Sequence, residues 1–203
     1  MRGSFRSLIH LVAGMAMLAL GSSATNARAE RQAPQEPNAE SLRIPVKDVA
    51  NYLHAIIEAE RAFYTLNIVE RLERQGVTNA SEKWRGTKSL PLPAQVLNET
   101  SELARLTGTK LRYQLLGLWP INPQNGPSNE FERKGLEQVR SSPDQPYTRV
   151  VRQDEKQVYQ AIYADVAVTQ ACIGCHNADP RSPRRDFKLR EVMGAVEITI
   201  PLE

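Results

Sequence analysis

One pentapeptide, Cys172-Ile173-Gly174-Cys175-His176, contains both cysteines of the 203-residue chain. Two thiols three residues apart, followed at once by an imidazole, form the attachment signature of a c-type haem. The spacing suits that chemistry because both thiols can reach the vinyl groups on one porphyrin edge while the imidazole reaches the iron. We therefore predict one covalent haem c, anchored by Cys172 and Cys175, with His176 as an iron ligand.

Other uses of the motif agree less well with the rest of the sequence. A structural zinc site needs a second pair of ligands, and the other two histidines, His10 and His54, lie far apart. A thioredoxin-like redox pair is followed by a long helix, which Pro180 and Pro183 would interrupt. A plain disulfide or another kind of metal site remains the alternative to haem.

The N-terminus has the three parts of a secretory signal peptide. Arg2 and Arg6 precede an apolar stretch at residues 8–20, and small residues end at Ala29, after which cleavage is expected. The apolar stretch is too short to cross a bilayer as a helix. We predict that residues 1–29 are removed and that the mature protein is periplasmic or otherwise extracytoplasmic, without a membrane span. Covalent haem attachment in bacteria takes place on that side of the inner membrane.

Loss of residues 1–29 would also remove the excess positive charge. The chain has 26 basic and 23 acidic residues, and the removed segment contains Arg2, Arg6 and Arg28 but no acidic residue. The mature chain would carry equal numbers of both signs. This balance gives no reason to expect nucleic acid or an anionic lipid surface as a partner.

The remaining chain is predicted to form one haem-binding domain. Residues 30–43 are polar and contain two prolines, which is typical of a disordered leader, so the folded domain would occupy residues 44–203. Apolar residues recur with a helical period over residues 46–75, and Gly76 follows as a stop signal. This pattern predicts a long amphipathic helix.

Shorter elements follow this helix. They are, in chain order, a helix that starts near Pro93 and ends before Gly108, a strand at 110–119, a helix capped by Ser128 and reaching 139, a hairpin of strands 147–152 and 157–166, and a final strand at 192–201. The order predicts an α+β domain with an antiparallel sheet covered by helices on one face.

Several stretches of the chain resemble a known family. They include Glu58-Ala59-Glu60-Arg61-Ala62-Phe63-Tyr64, Leu90-Pro91-Leu92-Pro93-Ala94-Gln95, Leu118-Trp119-Pro120-Ile121-Asn122-Pro123 and the pentapeptide with Asn177. From about residue 52 to residue 201 the chain resembles the Tll-like family of extracytoplasmic single-haem domains. The resemblance implies a PAS-like antiparallel sheet with a long N-terminal helix and flanking helices. Such domains occur alone or as the sensing half of receptors, which implies a redox partner protein or a separate signalling protein as partner.

Three possibilities are open for the position on the iron opposite His176. Some members of the family use a cysteine of the N-terminal helix there, but this chain has no further cysteine. His54 is the one other histidine of the mature chain and Met193 its one methionine. His54 is our first candidate for a second metal ligand, and Met193 or a vacant, water-bound position are the alternatives.

The prediction of function follows from the haem. Outside the pentapeptide we find no nucleophile motif, phosphate-binding loop or histidine-carboxylate cluster. We therefore predict no catalytic residues and an electron carrier or redox sensor rather than an enzyme. A haem-based sensor of a small gas or of redox poise, signalling to a separate protein, is the alternative. A weak haem peroxidase or reductase is favoured least, because the acid-base pair that such chemistry needs is missing.

Overall fold

The computed structural model describes residues 43–153 and 155–202. The predicted signal peptide, and the predicted leader up to residue 42, lie outside these residues. Within the two described ranges, no helix combines the length and the hydropathy that crossing a bilayer requires.

The long N-terminal helix is present, but it is not uniform. Helix α1 spans Val46–Phe63, continues as a π-helical segment at Tyr64–Glu70, and ends as the short helix α2 at Arg71–Arg74. Gly76 follows with a φ of 66°, in the left-handed region that a glycine adopts without strain. The helical period predicted the extent of this element but not its wide π-helical turns, which are uncommon and occur often at functional sites.

Two further helices begin at residues with clear capping interactions. Helix α3 spans Pro93–Leu106, and the backbone N–H of Leu92 donates to Gln95 Oε1 at 3.0 Å. Helix α4 spans Glu130–Ser141. Its cap is Asn129, whose Oδ1 accepts from the Glu132 N–H at 3.1 Å. The prediction of Ser128 as the cap was wrong by one residue, because the Ser128 hydroxyl instead donates to the Glu132 carboxylate at 2.9 Å.

Four strands form one antiparallel sheet. They are β1 (Arg112–Gly117), β2 (Tyr147–Gln153), β3 (Lys156–Val166) and β4 (Val192–Leu202), in the spatial order β1-β4-β3-β2. The predicted hairpin is β2 with β3, and the predicted final strand is β4, which lies between β1 and β3. The predicted α+β, PAS-like class is therefore confirmed.

Helices cover both faces of this sheet, whereas we predicted helices on one face. Ile57 of α1 and Leu97 of α3 pack with Val196 and other residues on one face. Phe131 and Leu136 of α4 pack against Ile162 and its neighbours on the other face. The prediction was wrong because successive side chains of a strand point to opposite faces, and β3 and β4 are buried on both.

The pairing of β3 with β4 changes register near one end of the two strands. The two strands pair in register as far as Asp165 and Gly194, but Val166 then pairs with Val192. Met193 is therefore the extra residue of a β-bulge, which turns side chains away from the regular alternation. Met193 packs instead in a small cluster with Ala167 and Phe187, beside Cys172, Ile173 and Trp119.

Substitution of Gly194 by alanine tests how closely β1 approaches β4. A Cβ atom at this position would lie 2.2 Å from the backbone oxygen of Leu116. Because a backbone oxygen cannot move away without disturbing the β1–β4 pairing, we expect Gly194→Ala to lower the free energy of unfolding by about 1–3 kcal/mol in denaturant titrations.

Gly86→Ala is the matched control, because a Cβ at residue 86 meets no atom within 4 Å. Equal effects of the two substitutions would contradict the close approach of β1 and β4 at this point.

Candidate functional site

The pentapeptide lies on a short helix, α5, which spans Gln170–Ala178. Thr169 caps this helix, since its hydroxyl oxygen accepts from the Cys172 N–H at 3.2 Å. Positions i, i+3 and i+4 of a helix share one face, which brings Cys172, Cys175 and His176 together within about one turn. The local sequence thus folds so that both thiols and the imidazole point to the same side.

These three side chains line one cavity of about 220 Å³. The cavity lies between α5, the π-helical segment, the end of β1 and the bulge in β4. Much of the rest of its wall is apolar and includes Val69, Leu115, Leu116, Pro120, Ile121 and Met193. A concave, mostly apolar surface with a few convergent polar groups is typical of a cofactor site.

The imidazole of His176 is half-buried and lacks a complete set of hydrogen-bond partners. Its Nδ1 atom has no hydrogen-bond partner, and burial lowers the pKa of the ring, opposed by the nearby Asp179 carboxylate. A ring with a lowered pKa is neutral near pH 7 and keeps a lone pair for a metal. The ring of Phe187 packs edge-on against the imidazole, with centroids 5.7 Å apart and planes at 87°.

Asn177 fixes Phe187 in this position through two hydrogen bonds. The Asn177 Nδ2 atom donates to the Phe187 carbonyl at 3.0 Å, and the Phe187 N–H donates to Asn177 Oδ1 at 2.9 Å. Residue 177 follows the pentapeptide directly, so the segment that carries the imidazole also anchors the loop that packs on it. Nothing in the sequence pattern alone indicated this pairing.

Both thiols are free. The surrounding protein raises the pKa of the Cys175 thiol by partial burial, and the Glu73 carboxylate adds to this effect. The thiol is therefore protonated near neutral pH. Two free thiols and a half-buried imidazole beside an apolar cavity are the donor set that a c-type haem requires, so the residues present fit this group.

A buried group of charged residues forms another part of the cavity wall. Arg61 and Asp165 both line the cavity, and the Arg61 guanidinium donates through Nη2 to Asp165 Oδ1. The same guanidinium donates to Glu58, at 2.8 Å from Nη2 and 3.3 Å from Nε. No sequence pattern had indicated this group. Its signals were an arginine four residues after the buried Ile57 and an aspartate in the apolar second half of β3.

The structure separates the two candidates for the second iron ligand. Met193 is buried and lines the cavity, whereas His54 is not among its lining residues. The His54 ring stacks on Tyr163, with centroids 4.2 Å apart and planes at 9°. Burial lowers the pKa of His54, and its Nε2 atom is buried without a hydrogen-bond partner. The identity of the second ligand stays a prediction.

Comparisons with known proteins give one family and one solved structure. The family model described as Tll0287-like matches residues 25–201. The structure is described as the crystal structure of the cyanobacterial heme-protein Tll0287, and the aligned chains are 16% identical. The alignment covers 79% of this chain and 98% of that chain, with a TM-score of 0.47. The comparison with curated proteins found no match.

Removal of the helix cap tests the support of α5. Thr169 is 3% exposed, and Thr169→Ala leaves the Cys172 N–H without its acceptor. We expect the free energy of unfolding to fall by about 1 kcal/mol in denaturant titrations. Thr169→Ser is the matched control, because it keeps the hydroxyl oxygen and should retain most of the stability. A loss with serine as large as that with alanine would mean that the hydroxyl does not cap the helix.

Proposed function

Because this chain belongs to the Tll0287-like family, we propose that it is an exported single-haem c-type cytochrome that acts in electron transfer or redox sensing. The observation that carries the proposal is the position of Cys172, Cys175 and His176 on one turn of α5, facing one cavity. The two cysteines would hold the haem through thioether bonds, and His176 would bind its iron. When bound, the haem supplies a one-electron couple whose potential depends on the ligands and the surroundings.

The protein residues around the cavity have three roles in this proposal. Phe187, held by Asn177, fixes the orientation of the His176 ring. The apolar wall, including Leu116, excludes water and so lowers the local dielectric constant. At the rim, Arg181 donates to Asp179 at 2.9 Å and to Glu82 at 3.0 Å, which places a cation beside the cavity where it can meet an acidic substituent of a porphyrin.

We also propose that the mature protein works outside the cytoplasm, after removal of residues 1–29, and exchanges electrons with a redox partner protein or signals to a separate protein. The sequence pattern of the N-terminus supports export. The attachment motif supports it independently, because covalent haem attachment in bacteria takes place on the outer side of the inner membrane.

Covalent attachment predicts a definite change in mass. The mature protein, produced by export in cells with a working cytochrome maturation system, should have the mass of the peptide plus one haem and show Soret absorption. In the double variant Cys172→Ala/Cys175→Ala the haem should dissociate under denaturing conditions, since no thioether bond can form. A parent protein with the mass of the bare peptide and no Soret absorption would contradict the proposal.

Whether His54 completes the coordination of the iron can be tested by spectroscopy. If His54 binds the iron, His54→Ala changes the absorption and resonance Raman spectra of both oxidation states, and Met193→Leu, the matched control, does not. This ligation requires the imidazole to leave its stacked position on Tyr163. Unchanged spectra of His54→Ala would rule out bis-histidine ligation, and a change confined to Met193→Leu would assign the methionine.

One observation favours the alternative function of a haem-based gas or redox sensor. Among the described residues that line the cavity, His176 is the one histidine, so the opposite side of the iron would be accessible to a small ligand unless Met193 binds there. A sensor of this kind would act on a separate protein through different affinities for two conformations. Rapid, tight binding of carbon monoxide to the ferrous parent protein would favour the sensor, and a six-coordinate spectrum unaffected by the gas would favour electron transfer.

A further inference from the structure

The Glu58, Arg61 and Asp165 side chains form a charged cluster at the cavity wall, and no role has been assigned to it so far. We propose that Asp165 takes up a proton when the haem iron is reduced, and that Arg61 positions Asp165 for this task. This inference rests on the proposed haem site and specifies how the protein would couple that site to pH.

The first argument is the net charge of the cluster. Two carboxylates share one guanidinium, so the cluster carries one negative charge in excess. The exposed fractions of the side chains are 7% for Arg61, 11% for Asp165 and 25% for Glu58. Burial of an uncompensated charge is costly, and a buried carboxylate can avoid the cost by binding a proton. The cluster is therefore set to accept a proton as soon as its surroundings become more negative.

The second argument identifies which carboxylate accepts the proton. Glu58 receives two hydrogen bonds from Arg61 and is the more exposed of the two. Asp165 receives one, at Oδ1, and its Oδ2 has no hydrogen-bond donor among the described residues. Burial, opposed by Arg61 and assisted by the Glu58 carboxylate, raises the pKa of Asp165 to about 6. Asp165 is thus the carboxylate that protonates near neutral pH.

The charged and titratable groups around Asp165 come from few elements. Glu58 and Arg61 belong to α1, and the residue paired with Asp165 on β4 is Gly194, which has no side chain. From α5, Cys172 would be an uncharged thioether in the haem-loaded protein. Burial lowers the pKa of the Arg61 guanidinium, but Asp165 and Glu58 outweigh this effect and raise the pKa above its usual value. The guanidinium is therefore charged at every relevant pH, and Asp165 is the group that changes its charge.

The third argument is the shared cavity. Asp165, Cys172 and His176 line the same space, so a charge added at an iron bound by His176 acts on Asp165 through an apolar medium. In the coupled step, an iron bound by His176 would gain one electron from a one-electron reductant, such as a reduced partner protein or a mediator. Asp165 takes one proton from solvent, and an O–H bond forms on its carboxylate. The charge of the site is then unchanged, and reoxidation releases the electron and the proton again.

The sign of the pH dependence follows from this step. The ferrous protein binds the proton more tightly than the ferric protein, so the reduction potential falls as the pH rises between the two pKa values of Asp165. At lower pH both forms are protonated and at higher pH both are ionised, so the potential is constant. The steepest dependence is a tenfold change in the reduction equilibrium per pH unit, which corresponds to 59 mV for one electron.

The test is a spectroelectrochemical titration of the haem-loaded protein at a series of pH values around 6, the pKa of Asp165. We expect the reduction potential of the parent protein to fall as the pH rises through this range. Asp165→Asn should remove this slope, and above the pKa it should have a higher potential than the parent because a negative charge is gone. Glu99→Gln is the matched control. Glu99 is 51% exposed, paired with Arg85 and not among the lining residues of the cavity, so this variant should keep the slope.

Two results would overturn the inference. One is a potential of the parent that does not depend on pH in this range. The other is a slope that persists in Asp165→Asn, which would assign the proton to another group, such as a haem propionate. If Asp165→Asn does not fold, Asp165→Glu takes its place, because it keeps a carboxylate but moves it by one methylene group. A change in the pH range of the slope supports the inference, and a slope identical to that of the parent refutes it.

The same samples separate this inference from the proposed function. A protein without Soret absorption contradicts the haem proposal and removes the basis of the inference as well. A protein that carries haem covalently but has a pH-independent potential contradicts only the assignment of Asp165.

Discussion

The antiparallel pairing of β3 with β4 is the interaction on which the remaining structure depends. These two strands are buried on both faces, so α1 and α3 can pack on one side and α4 on the other. Their register changes after Asp165, where Met193 becomes an extra residue. The cavity lies at this change in register, since Asp165, Met193 and Gly194 all line it, and a bulge redirects side chains from the regular alternation. The helix with the pentapeptide closes the cavity.

The Arg61 and Asp165 pair connects this strand to the long helix at the edge of the cavity. A buried ion pair is weak evidence for stability, because the loss of hydration of both groups offsets most of their attraction. Replacement of such a pair by apolar residues of similar size is often neutral or stabilising. The position of Arg61 and Asp165 in the cavity wall, with Glu58 hydrogen-bonded to Arg61, is therefore better explained by the chemistry of the cavity than by the stability of the fold.

Local sequence patterns predicted most helices and strands of the fold. They did not predict features that depend on contacts between residues far apart in the sequence. The helical period over residues 46–75 and the stop at Gly76 gave the N-terminal helix, and alternation with a charged turn gave the hairpin. Hydrophobic periodicity does not distinguish α-helical from π-helical turns, so the segment Tyr64–Glu70 was missed. The pair of Arg61 and Asp165 joins residues 104 positions apart, and no local pattern reports such a contact.

The two sides of the candidate site also differ in whether local sequence or long-range packing determines them. The side with His176 is carried by five consecutive residues on one short helix, and the sequence pattern singled out these residues, although not the packing of Phe187 on the imidazole. The opposite side depends on how α1 packs across the sheet. His54 was chosen because it is the one other histidine of the predicted mature chain. Whether a side chain reaches the cavity depends on the face of the helix that carries it. The residues of this long helix that line the cavity are Arg61, Thr65 and Val69. Their spacing of four residues keeps them on one face as the helix passes into its π-helical segment. Under the proposed haem attachment, substitutions at these positions would change the surroundings of the haem while α5 stays the same, so one attachment motif would be compatible with different redox behaviour.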